Sequence, residues 1–69
     1  MIDEASLRPE TGADLARVRR LSGLTQDEAA AEVGMRSRRR QVTWSEWESL
    51  TELTAGARAA GRALALGLR

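Results

Sequence analysis

Residues 25 to 34, TQDEAAAEVG, leave the chain little choice of local structure. Thr25 and Glu28 stand three apart as a T-x-x-E capping box, in which hydroxyl and carboxylate satisfy backbone donors at a helix N-terminus. Asp27 and Glu28 suit the positive end of the helix dipole, and Gly34 accepts the backbone conformation that stops a helix. The spacing predicts a short helix over 26–33 with Ala29, Ala30 and Val33 as its apolar face. A face built from alanine requires a neighbouring helix at close range, and this sets the expectation of an all-α fold.

The flanking segments repeat the same punctuation. Thr11 and Asp14 form a capping-box-like start, Leu15, Val18 and Leu21 recur at helical spacing, and Ser22-Gly23 ends the pattern, predicting a helix over 12–21. Met35 is placed to drop into the core after Gly34. A third helix over 39–48 starts at Ser37 or near Arg40, with Trp44 and Trp47 on one face. Leu50 and Leu53 lie in a link, and Thr54 caps a last helix through GARAAGRALALGL, whose narrow apolar line is Ala57, Ala60 and Leu64 beside Arg58 and Arg62. Gly56, Gly61 and Gly67 each weaken that helix by about 1 kcal/mol relative to alanine, so it needs tertiary or dimer contacts. The first ten residues, with Ile2, Leu7 and Pro9 but no periodicity, read as a mobile arm or a short cap, leaving 11–69 as a single domain.

Core material is scarce in a chain of 69 residues: of 29 apolar residues 12 are alanine, so 17 larger side chains must supply the interior. A domain this small buries little and gains from a partner. Cysteine and histidine are both absent, which removes disulfides, thiolate and imidazole metal sites and the commonest general base. Glu46 and Glu48 sit two apart on a helix and point away from each other, so no acid/base dyad is suggested. The expectation is a non-enzyme with no catalytic residue, metal, cofactor or small-molecule ligand. No apolar run approaches the length of a membrane span and the N-terminus is acidic, so no membrane association and a cytoplasmic location are expected. Residues 1 to 14 carry a charge of −3, 15 to 40 carry +4, 41 to 54 carry −3 and 55 to 69 carry +3. Every basic residue is arginine, a bias that suits either a GC-rich genome or bidentate phosphate and guanine contacts.

The run GLTQDEAAAEVG followed by TWSEWES resembles the Cro/repressor-type (XRE-like) helix-turn-helix family over roughly residues 12 to 50. The family pattern is GLTQ, an alanine at the position of Ala30, a turn glycine at Gly34, an arginine at Arg19 and a closing W-E at Trp47-Glu48. One departure is spacing: Trp47 and Glu48 lie thirteen and fourteen residues after Gly34, against nine or ten in the family. Either the turn through MRSRRR is enlarged or the third helix gains most of a turn. A second departure is Leu50, where the family commonly has glycine.

The resemblance implies a compact four- or five-helix bundle of the lambda-repressor-like type, with the helix at 39–48 entering the major groove, where every base pair shows a distinct donor and acceptor pattern. Counted back from Trp47, Arg40, Gln41, Val42, Thr43, Ser45 and Glu46 occupy the exposed positions, and Trp44 and Trp47 face the core. Base contacts are expected from Arg39 or Arg40 to guanine, Gln41 to adenine, Thr43 or Val42 to a thymine methyl, and Ser45; Glu46 would accept from cytosine N4 or pair with an arginine. Thr25 and Gln26 at the start of the second helix, with Arg36 and Arg38 in the turn, are expected on phosphates. Arg19 and Glu48 occupy the positions of the family's buried ion pair.

The functional expectation is a homodimeric, sequence-specific regulator of double-stranded DNA, acting as a repressor of its own or an adjacent operon through an inverted repeat. Among relatives this resembles compact phage and mobile-element regulators, including restriction controller proteins and autoregulators encoded beside anti-CRISPR genes. Two rivals keep the fold. One is an antitoxin-like or adaptor module whose main partner is a protein. The other is a phage protein that uses its acidic arm and arginine-rich turn to engage another protein's nucleic-acid channel. The A-x-x-A and G-x-x-x-x-G spacing of the tail fits a close helix crossing at a dimer seam and equally an alanine-rich composition.

Overall fold

In the computed structural model, which describes residues 8 to 67, hydroxyl-bearing caps start three of four helices: α1 (Gly12–Leu21), α2 (Gln26–Glu32), α3 (Arg40–Glu48) and α4 (Ala55–Leu66). There are no strands among the described residues. At α1 the Asp14 N–H donates to Thr11 Oγ1 at 3.1 Å, and the Thr11 N–H donates back to Asp14 Oδ2 at 3.2 Å. At α2 the same reciprocal pair joins Glu28 N–H to Thr25 Oγ1 at 3.1 Å and Thr25 N–H to Glu28 Oε1 at 2.9 Å. Thr54 Oγ1 accepts from the Ala57 N–H at 3.3 Å and caps α4. The backbone turns at Gly23 (φ 72°) and Gly34 (φ 91°), the left-handed region where a Cβ is penalised.

α3 is the exception. Arg39 in its cap position makes no side-chain capping bond, and the first turn holds no acidic residue. Arg40 there opposes the helix dipole, and Val42 and Thr43 are β-branched. What holds α3 is tertiary packing. It lies against α2 and α1, and α4 closes on α1. Trp44 is fully buried in one core cluster with Leu15 and Val18 of α1, Ala29 and Ala30 of α2, Leu53 of the link, and Ala57, Leu64 and Ala65 of α4. Leu24, Val33, Met35, Trp47 and Ala60 pack on this core from its edge. Trp44 and Trp47 meet in a tilted pair with ring centroids 5.7 Å apart.

Helix boundaries differ slightly from the sequence reading. Val33 is the C-cap of α2 rather than its last helical residue, and α3 starts at Arg40, one residue later than expected. The long spacing before Trp47-Glu48 therefore resides in the connection from Val33 to Arg39 and does not extend α3. Residues 1 to 7 of the expected arm lie outside the described residues, and Arg8 to Glu10 belong to the folded body. Pro9 is buried, and the Glu10 carbonyl accepts from the Leu53 N–H at 2.8 Å. The Gly12 N–H donates to the Leu50 carbonyl at 2.9 Å, so two backbone bonds tie the start of α1 to the link after α3.

Gly61 also acquires a reason. A Cβ there would stand 2.6 Å from Pro9 Cγ and 2.9 Å from Leu15 Cδ1, so α4 loses helix propensity at this position to admit the proline. No helix of the described residues is long and apolar enough to cross a membrane.

Candidate nucleic-acid interface

The inner face of α3 is locked by one carboxylate. Glu48, at its last turn, has a side chain 11% exposed and accepts from four donors: Arg19 Nε at 2.6 Å, Arg19 Nη2 at 3.3 Å, Gln26 Nε2 at 3.1 Å and Trp44 Nε1 at 2.6 Å. Arg19, whose own side chain is 18% exposed, also donates from Nη1 to the Leu24 carbonyl at 3.1 Å. One group thus ties α1, the α1–α2 turn, α2 and α3 together. The Arg19–Glu48 pair is implied by the family resemblance, and the i, i+4 spacing of Trp44 and Glu48 is readable from sequence. The third tie, from Gln26, has no sequence signal.

Burial alone would push the Glu48 carboxyl up. The bonds from Arg19, Gln26 and Trp44, with the Arg19 charge, outweigh that and hold it below the ordinary carboxylate range. With the folded pKa depressed, the unfolded chain binds more protons in acid, so stability rises with pH in that range. The Glu48 contribution is complete above the ordinary glutamate pKa, about 4.3, and is lost as pH falls through the lower folded value. Urea melts followed by circular dichroism from pH 7 to pH 3 should show falling stability at the acid end, with a flatter acid limb in Glu48→Gln. Asp14 acts with the same sign, its carboxyl lowered first by the Glu10 backbone N–H, so the comparison with Glu48→Gln isolates the interior group.

The outer face of α3 is open. Gln41, Val42, Ser45 and Glu46 are exposed and, with half-buried Gln26 of α2, line a shallow depression of about 350 Å³. No side-chain hydrogen bond or ion pair engages Gln41, Ser45 or Glu46 among the described residues. Arg36, Arg38 and Arg39 in the connection before α3 are also exposed, and their guanidinium groups have no ion-pair partner among the described residues. The Arg39 backbone N–H donates to Ser37 Oγ at 3.1 Å and the Arg40 N–H to the Ser37 carbonyl at 3.1 Å, so Ser37 shapes the approach to α3.

Four expected site residues are partly covered or already engaged within the fold. Arg40 donates from Nε and Nη2 to Asp27 Oδ1 and Oδ2 at 2.9 and 3.1 Å, which makes it a tie between α2 and α3. That pair is half-exposed, in the class worth about 0–1 kcal/mol, and relieves the unfavourable charge in the first turn of α3. Thr43 is half-buried and stands outside the residues lining the depression. Gln26 spends one amide hydrogen on Glu48, leaving its other N–H and its oxygen for an outside partner. Thr25 is exposed at the α2 N-terminus, its oxygen already accepting from Glu28.

Among the described residues no group of three or more acidic side chains could hold a metal ion. The chain matches no protein-family model, no curated protein and no solved structure.

Proposed function

We propose that this chain is a helix-turn-helix regulator that binds double-stranded DNA in sequence-specific fashion, as a homodimeric repressor of its own or an adjacent operon. The observation that carries this reading is a juxtaposition. Three unpaired guanidinium groups, on Arg36, Arg38 and Arg39, lead directly into a helix whose outer face is polar and open and whose inner face is locked by Trp44 and Glu48. Guanidinium groups ahead of a rigid helix suit phosphate contacts that set register, and a polar face suits base edges in the major groove. In this reading Arg36 and Arg38, with Thr25 and the outward half of Gln26, hold the backbone, while Arg39, Gln41 and Ser45 read bases. Arg40 joins them only by exchanging Asp27 for the nucleic acid. The resemblance to the Cro/repressor-type family supports the same assignment and the inverted-repeat operator.

Selection of bound duplexes from a randomised 25-base-pair pool at about 150 mM salt tests the proposal. Enrichment of an inverted repeat with half-sites about one helical turn apart is expected. Retention without any enriched motif would overturn it. With an operator in hand, Gln41→Ala should relax preference at one base position. Arg38→Ala should weaken all duplexes nearly equally and reduce the salt slope by about one. Identical behaviour of the two variants in titrations across salt would refute this division of roles.

A second reading, an adaptor or antitoxin-like module with a protein partner, has its own support. Leu21 and Leu66, the last residues of α1 and α4, are 53% and 46% exposed. The depression lined by Leu24, Val33, Ala63 and Leu64 lies between their helix ends. The same surface would serve a homodimer, and sedimentation equilibrium of the isolated chain separates self-association from a monomer awaiting another protein.

A further inference from the structure

On the open face of α3 the chemistry is uneven, and the unevenness points to a particular base edge. Val42 is a large apolar side chain left 45% exposed on a surface otherwise lined by amide, hydroxyl and carboxylate groups. Glu46 follows it by four residues, so the two side chains stand one above the other on the same stripe of the helix, about 5–6 Å apart at Cβ. Both line the depression shared with Gln26, Gln41 and Ser45. The Glu46 carboxylate has no partner among the described residues, although unpaired arginines flank α3 on its N-terminal side. A free carboxylate facing a phosphate polyanion weakens binding unless a donor meets it there.

In the major groove, cytosine N4 is the amino donor suited to a carboxylate, and the pyrimidine C5-methyl is the apolar group suited to valine. Thymine alone does not satisfy the pair, because its methyl stands beside O4, an acceptor that a carboxylate repels. We infer that Val42 and Glu46 together read a pyrimidine C5-methyl group adjacent to a cytosine N4 amine. Two sources present that combination: a thymine stacked on a cytosine, or a single 5-methylcytosine. This inference rests on the duplex-binding reading above and adds its base specificity. It also selects between the two side chains that a thymine methyl was expected to meet, since Thr43 is half-buried and outside the depression.

The test uses the full chain and two randomised duplex pools, one synthesised with cytosine and one with 5-methylcytosine. Enriched operators are then measured by competition with deoxyuridine in place of each thymine or with cytosine and 5-methylcytosine exchanged. Removing a contacted methyl should weaken binding about fourfold, the equivalent of one buried methylene. If deoxyuridine produces that loss, the source is a thymine–cytosine step; if demethylating cytosine does, the source is 5-methylcytosine. In either case Val42→Ala should abolish the methyl effect. Glu46→Ala should reduce the preference for cytosine over thymine at the contacted position by about tenfold, within the range of a base-edge contact.

Both side chains are exposed, so unchanged thermal melts are expected for the two variants. Neither methyl exchange altering affinity by more than about twofold, or Val42→Ala retaining the methyl effect, would overturn the inference while leaving an enriched operator intact. Failure of both pools to enrich any motif would instead remove the duplex-reading proposal, and this inference with it.

Discussion

Replacing Glu48 with alanine should lower the melting temperature by roughly 15–30 °C, following a loss of about 3–5 kcal/mol from a domain of this size. The reason is the set of donors left behind. Arg19 would keep its charge in a largely enclosed site with only the Leu24 carbonyl as partner. The indole N–H of fully buried Trp44 and one N–H of Gln26 would lose their acceptor. An unpaired buried donor costs the desolvation it can no longer recover. Because small domains hold only about 5–15 kcal/mol in total, the variant is expected near the edge of folding. Arg19→Ala should cost less, since Glu48 retains bonds from Gln26 and Trp44. The double variant should cost less than the two single losses added, by about 0.5–3 kcal/mol. Calorimetry on the three variants checks this, and additive losses would show that the carboxylate does not act as a shared tie.

Gly12→Ala should destabilise by about 3 kcal/mol, the opposite sign to its local helix propensity, which favours alanine by about 1 kcal/mol. A Cβ at Gly12 would stand 2.6 Å from the Leu50 carbonyl oxygen and would also overlap the Glu48 carbonyl. These are backbone atoms at the end of α3, so no rotamer change relieves the overlap, and the bond from the Gly12 N–H to the Leu50 carbonyl would be strained or lost. Gly56→Ala is the matched comparison. It lies in the first turn of α4 with nothing within 4 Å of its added Cβ, so the same substitution should stabilise by about 0.4–1 kcal/mol. Urea denaturation of both variants reads the difference directly. Equal effects would mean that α1 does not approach the α3 terminus as closely as described.

The Glu48 network and the Gly12 contact together explain how α3 presents an open face. Its inner side is held at both ends, by Asp27 on Arg40 near the start and by the four donors on Glu48 near the finish. A helix without a side-chain cap, carrying a cation in its first turn and two β-branched residues, would be marginal alone. Gln41, Val42, Ser45 and Glu46 are therefore positioned by contacts made on the opposite face.

Local chemistry in the chain carried the helix starts and stops. Thr11, Thr25 and Thr54 cap because each hydroxyl precedes a backbone donor by three residues, and Gly23 and Gly34 turn because they lack a Cβ. Such interactions span a few residues and need no knowledge of the fold. Trp44 as a core residue was legible for a related reason: helical spacing places it on the stripe with Trp47, opposite the polar positions.

The tertiary structure alone decided which partners long side chains choose. Arg40 reads with Arg39 as a guanine contact at the end of an arginine run, yet it turns to Asp27, thirteen residues away, while Arg36, Arg38 and Arg39 do not. Gln26 reads as a phosphate contact at a helix start, but one of its amide hydrogens reaches Glu48 on another helix. Pro9 reads as part of a loose arm or a short cap, and the choice falls to burial where Gly61 leaves room. Caps and turns follow from forces that act within one turn of backbone, whereas these choices depend on distances between helices that arise only when the alanine faces close upon Trp44.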